Sequence, residues 1–110
     1  MIALDFSGQT AVVTGGLQGI GKAIAQLLHR GGANVVIGDI AARAREQSLR
    51  QLVLRTDVAS REQAHQLIGA AVETFGGVDI LVNSCGISAM SAVDAMSEAD
   101  WQRKIGRAHV

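Results

Sequence analysis

The sequence predicts an α/β fold in which a parallel sheet carries helices on both faces. Three observations lead there. Short β-branched apolar runs such as Thr10-Ala11-Val12-Val13-Thr14 suit strands buried on both sides. Between them lie stretches whose apolar residues recur at three- and four-residue steps, the mark of an amphipathic helix. Thirteen glycines and no proline fit a chain of tight strand-to-helix turns. At 110 residues and 48% hydrophobic content, one modest core is attainable, so the chain is a single domain or part of one.

Residues 1–9 form a lead-in, with Ser7-Gly8-Gln9 as a turn into the first strand at Thr10–Thr14. The next segment is a helix, with Ile20, Ala23, Ile24, Leu27, Leu28 and Gly31 drawing one apolar stripe and Gly31-Gly32 supplying the stop. Asn34-Val35-Val36-Ile37-Gly38 is a second strand ending at Asp39. Residues 41–50, charged and alanine-rich, are expected to form a short exposed helix before a third strand at Leu52-Val53-Leu54 that leads to Asp57-Val58. Ser60-Arg61-Glu62-Gln63 fits a capping box, and Ala64, Leu67, Ile68, Ala71, Val72 and Phe75 mark the clearest helical stripe, closed by Gly76-Gly77. Val78–Asn83 is a fourth strand, turning out through Ser84-Cys85-Gly86, and Ser97-Glu98-Ala99-Asp100 opens another helix. The right-handed crossover rule places the second strand beside the first, and the expected strand order is 3-2-1-4.

Composition narrows the possible functions. Ten basic and ten acidic side chains cancel without gathering into a stripe, so neither nucleic acid nor an anionic membrane is the expected partner. No run approaches the roughly 20 apolar residues of a membrane span, and the first residues lack a targeting pattern, which gives a cytosolic expectation. Cys85 is the single cysteine, which excludes an intrachain disulfide and a cysteine-rich metal site. His29, His65 and His109 are scattered and have no ligand cluster beside them.

The chemistry centres on Thr14-Gly15-Gly16-Leu17-Gln18-Gly19-Ile20-Gly21, which follows a strand and opens a helix. Glycines there allow a tight turn, close approach of a pyrophosphate to the backbone, and packing of helix on strand, while the helix N-terminus faces the phosphates. Asp39, 18 residues past Gly21, ends the next strand, where a carboxylate accepts hydrogen bonds from both hydroxyls of an adenosine ribose and repels a 2′-phosphate. The combination is the Rossmann-type dinucleotide fingerprint and favours NAD over NADP; Gln18 adds no positive charge near the expected phosphate. A competing reading, that Asp39 is only a solvated strand-end acid, stays open at this point. Gly16 to Gly21 with Lys22 also matches an NTPase phosphate loop, but Ala23 stands where that loop needs a serine or threonine for magnesium.

These motifs together resemble the N-terminal half of the short-chain dehydrogenase/reductase family. Thr14, Gly15, Gly19, Ile20 and Gly21 match its glycine pattern, Asp57-Val58 its acid-valine pair, and Asn83-Ser84-Cys85-Gly86 its Asn-Asn-Ala-Gly turn, across about residues 6–105. The resemblance implies cofactor contacts at Thr14, Gly15, Leu17, Gln18, Gly19, Ile20, Gly21, Asp39, Ile40, Asp57, Val58, Asn83, Ser84, Cys85 and Gly86. In that pattern Asp57 and Val58 hold the adenine, the backbone around Cys85 and Gly86 lines the ribose, and Asn83 ties the central strands. Ser84 and Cys85 depart from the family residues but are small, and Cys85 takes the place of a packed alanine rather than acting as a redox nucleophile.

The family also implies an alcohol or ketone substrate, a homo-oligomer and a tyrosine, lysine and serine for catalysis. The chain has no tyrosine, so no catalytic residue is expected within it. The family pattern Trp-x-x-x-Ile-x-x-Asn begins at Trp101 and Ile105 but lands on Ala108. Ile105-Gly106-Arg107-Ala108-His109-Val110 back-translates as ATC GGA AGA GCA CAC GTC, the opening of a common sequencing adapter. The expectation is therefore a dinucleotide-binding region at 1–105, truncated, with a non-native tail at 106–110 and its fourth strand left as an unpaired edge. A non-catalytic nucleotide-binding module is the alternative from another class.

Overall fold

The computed structural model describes residues 5–84 and the strand residues 108 and 109. Its elements run β1 (Thr10–Thr14), α1 (Gly19–Arg30), β2 (Asn34–Asp39), β3 (Glu46–Ser48), β4 (Gln51–Arg55), α2 (Arg61–Phe75), β5 (Ile80–Asn83) and β6 (Ala108–His109). One sheet holds all six strands in the order β3-β4-β2-β1-β5-β6. The four anticipated strands are β1, β2, β4 and β5, mutually parallel and in the anticipated order.

Alternation along the strands divides the core into two layers. Val12, Val36, Leu52 and Leu81 face α2, where Leu67, Ile68 and Ala71 meet them. Ala11, Val13, Val35, Ile37, Val53 and Val82 face the other way, toward Ala25 and Leu28 of α1. Helices thus cover both faces, which explains why the strands read as continuous apolar runs. The N-terminus of α2 is fixed as its sequence implies: the Ser60 hydroxyl accepts from the Gln63 N–H at 3.2 Å. The Gln63 side chain does not close the reciprocal bond to Ser60; its Oε1 accepts from the Asp57 N–H at 2.8 Å, tying the β4 exit to the helix.

Three expectations are corrected. Residues 41–50 do not form a helix; they contain β3, antiparallel to β4 with Glu46 opposite Val53 and Ser48 opposite Gln51. The connection from Asp39 to Gln51 must return along a full strand length, because Val35 pairs with Gln51 and Asp39 with Arg55. A helix spanning that return needs about nine residues at about 1.5 Å each and leaves only about two for its two turns, whereas extended chain rises about 3.3 Å per residue and needs few. Arg50 closes the hairpin with φ of 57° and donates through Nη1 to the carbonyls of His29 (3.0 Å) and Ala33 (2.7 Å), capping the end of α1.

Second, α1 is rotated from its expected stripe. Gly21, Ala25 and Leu28 are buried, while Ile20 and Leu27 remain 77% and 53% exposed. Gly21 sets this rotation, because a side chain there would overlap the Gly15 carbonyl oxygen and the Ser84 hydroxyl. Third, β5 is not an unpaired edge: β6 lies parallel to it, with Ile80 opposite Ala108 and Leu81 opposite His109. The helix start at Ser97 lies outside the described residues.

Candidate functional site

The carboxyl ends of β1, β2, β4 and β5 bring the predicted residues to one edge of the sheet. Their order there follows from the parallel pairing, Thr14 standing between Gly38 of β2 and Asn83 of β5. Gly15 leaves β1 by donating its N–H to the Gly38 carbonyl at 2.8 Å. Leu17 then donates its N–H to Asp39 Oδ2 at 3.0 Å, and Asp39 Oδ1 accepts from the Ala41 N–H at 2.9 Å. Asp39 is 4% exposed, so the reading of a solvated strand-end acid is overturned. Its carboxylate fastens the glycine turn to the end of β2, and each oxygen retains lone-pair capacity for a further donor.

The glycine turn ends at an open helix N-terminus. Gln18 occupies the N-cap position without a side-chain bond to the helix, and the first turn carries no acidic residue. The first N–H groups of α1 therefore have no intrahelical partner, and the positive end of the helix dipole is not offset by a nearby carboxylate. Gly19 has φ of +52°, and among the described residues nothing lies within 4 Å of where a Cβ would stand. At Gly21 the opposite holds, since the backbone of the turn occupies that space. The two glycines thus do different work, one keeping the approach to the helix end clear and the other seating the helix on the turn.

On the β5 side, the Thr14 hydroxyl donates to Asn83 Oδ1 at 3.0 Å, and the Ser84 hydroxyl bonds to the Thr14 carbonyl. Asn83 joins β1 to β5 in this way while its Nδ2 is buried and, among the described residues, has no hydrogen-bond partner. At the β4 exit, Asp57 Oδ1 accepts from the Ala59 N–H at 3.0 Å, and Asp57 and Val58 are half-buried. Ile40, directly after Asp39, is 58% exposed, an aliphatic surface at the rim. The structure therefore brings Thr14, Gly15, Leu17, Gln18, Gly19, Ile20, Gly21, Asp39, Ile40, Asp57, Val58, Asn83 and Ser84 to the same edge. Cys85 and Gly86 lie outside the described residues.

Sequence reasoning missed the structural bond from Asp39 to Leu17, since spacing alone does not reveal which backbone donor a carboxylate finds. It also missed a cavity of about 360 Å³ between α2 and β4, lined by Arg45, Leu54, Gln63, Gln66, Leu67 and Glu73. No periodicity marks it, because its lining joins α2 and the end of β4 with Arg45 from the connection before β3, residues far apart in sequence. Among the described residues no group of three or more His, Cys, Asp or Glu could hold a metal ion, and no helix is long and apolar enough to cross a membrane.

An uncapped helix end, a glycine turn and a strand-end acid at the carboxyl edge of a parallel sheet place the chain in the class of Rossmann-like α/β proteins. The chain belongs to the short chain dehydrogenase family, whose pattern it matches over residues 9–107. It is 41% identical to an uncharacterized oxidoreductase of Thermotoga maritima over 106 residues, covering 89% of this chain and 41% of the relative. A short-chain dehydrogenase/reductase from Serratia marcescens superposes with a TM-score of 0.66 at 35% identity, covering 74% of this chain and 37% of that one. A 3-ketoacyl-(acyl-carrier-protein) reductase from Brucella melitensis, solved in complex with NADH, superposes with a TM-score of 0.65 at 30% identity, covering 70% and 34%. The chain spans about two fifths of the length of the curated relative, at 41%.

Proposed function

We propose that this chain is the cofactor-binding region of an NAD-dependent dehydrogenase that acts on an alcohol or ketone. One observation carries the reading: the buried Asp39 carboxylate is bonded to the N–H of Leu17 within the glycine turn, beside the uncapped end of α1. The residues fit a dinucleotide. Backbone N–H groups from Gly19 onward would take the pyrophosphate, and Asp39 the two ribose hydroxyls. Ile40, Asp57 and Val58 would border the adenine, and the unpartnered Asn83 amide leaves a donor at the inner end of the site. NAD is preferred over NADP because a 2′-phosphate would meet the Asp39 charge.

When bound, the dinucleotide supplies the hydride acceptor or donor. This chain contributes binding, orientation and the close backbone approach at Gly19. The sequence contains no tyrosine, so no residue of this chain is assigned the family's proton-exchanging role. The same reading proposes a cytosolic homo-oligomer for the whole protein, with no nucleic-acid or membrane partner.

The test is an assay of the uninterrupted protein that carries this region, following NAD and NADP reduction with a panel of secondary alcohols. NAD-linked oxidation, with a Tyr-x-x-x-Lys motif downstream, is the expected result. Nucleotide binding without turnover, in a protein lacking that motif, would instead support the non-catalytic module.

A further inference from the structure

Arg55 is the last residue of β4 and pairs in register with Asp39, so the two side chains rise from the same face of the sheet on neighbouring strands. Asp39 faces the glycine turn, as its bond to Leu17 requires. The Arg55 side chain is exposed and reaches over the β2 exit, donating through Nε to the Ile40 carbonyl at 3.4 Å. That bond uses one of the five guanidinium N–H groups, and among the described residues Arg55 forms no ion pair with a carboxylate.

We infer that Arg55 determines how far the site discriminates between nucleotides with and without a 2′-phosphate. This inference rests on the dinucleotide reading above. Asp39 disfavours the phosphate by charge repulsion and by losing a hydroxyl donor. Arg55, paired in register with Asp39 on the neighbouring strand and held at the Ile40 carbonyl, supplies the opposite charge beside the carboxylate that would hold the ribose. A guanidinium presents several N–H donors to phosphate oxygens, so the position favours arginine over a simple point charge. Discrimination at this site is then the difference between two opposed terms carried by adjacent strands, and the chain tolerates a 2′-phosphate better than Asp39 alone would permit.

Calorimetric titration of the 110-residue chain with 5′-AMP and with 2′,5′-ADP separates these terms without requiring turnover. Arg55→Gln is expected to weaken 2′,5′-ADP by about fivefold, the size of one solvent-exposed charge interaction, while 5′-AMP changes by less than about twofold. Arg55→Lys should recover part of the loss, and added salt should shrink the difference between wild type and Arg55→Gln. A melting curve of Arg55→Gln matching wild type keeps the comparison free of folding effects. Equal weakening of both nucleotides, or no change in either, overturns the Arg55 assignment and leaves the dinucleotide reading standing. Failure of wild type to bind 5′-AMP overturns both.

Discussion

Replacing Asp39 by alanine tests a carboxylate with two tasks. It is 4% exposed and accepts from the N–H groups of Leu17 at 3.0 Å and Ala41 at 2.9 Å. A hydrogen bond to a charged group contributes about 1.5–3 kcal/mol. Leu17 is only half-buried, so its N–H regains water in part when the carboxylate is removed. The expected loss for the two bonds together is therefore about 2–4 kcal/mol rather than the full sum. In a domain of this size, with roughly 4–8 °C per kcal/mol, Tm should fall by about 10–30 °C. Asp39→Asn keeps an acceptor for one of the two donors and should lose about half as much. Scanning calorimetry gives the stability, and titration with NAD and NADP on the same samples gives the second task. The NAD:NADP preference should narrow in both variants, because the charge that repels the 2′-phosphate is gone. A melting temperature within about 3 °C of wild type would refute the structural task, the shift being then too small for even one charged bond. An unchanged preference would refute the ribose-reading task.

Two further substitutions separate binding from folding. Gly19→Val should abolish measurable NAD binding while leaving the circular-dichroism spectrum unchanged, because the branched side chain fills the clear approach to the α1 N-terminus. The φ of +52° adds a strain of about 1–3 kcal/mol; normal NAD affinity in calorimetry would remove the turn from the site. Arg50→Ala should cost about 1.5–3 kcal/mol in urea unfolding, because the carbonyls of His29 and Ala33 lose a charged donor at the end of α1. It should leave nucleotide affinity unchanged, the hairpin lying at the opposite end of β4 from the site, and a selective loss of NAD binding would contradict that separation.

The parts of the fold that were legible are those where local pattern and tertiary demand agree. Thr10–Thr14 could be bounded from sequence because a β-branched apolar run has no other comfortable place than a two-sided sheet. The stripe on α2 was legible because its cap at Ser60 and its stop at Gly76 bracket it. Residues 41–50 misled because alanine, arginine, glutamate and glutamine favour helix locally, while the short span from Asp39 to Gln51 leaves little room for a helix with its turns and the segment pairs with β4 instead. The α1 stripe misled for a related reason: Ile20 and Leu27 carry the apolar signal, but glycine at 21 is the residue that must touch the turn, and a glycine adds nothing to an apolar pattern. In the site, the glycine turn and Asp39 could be read from spacing. The neighbour across from Asp39 could not, since Arg55 becomes its partner only through strand register.

The central claim is that a dinucleotide binds at the carboxyl edge formed by the glycine turn, the β2 exit and the β4 exit. The most direct measurement is an NMR titration of the isotopically labelled 110-residue chain with NAD, following backbone amide shifts. The largest shifts should fall on Gly15 to Gly21, on Ile40 and Ala41 and on Asp57 and Val58, and Gly19→Val should abolish them. Shifts confined to the cavity lined by Gln63, Gln66 and Glu73, or no saturable shifts at all, would contradict it.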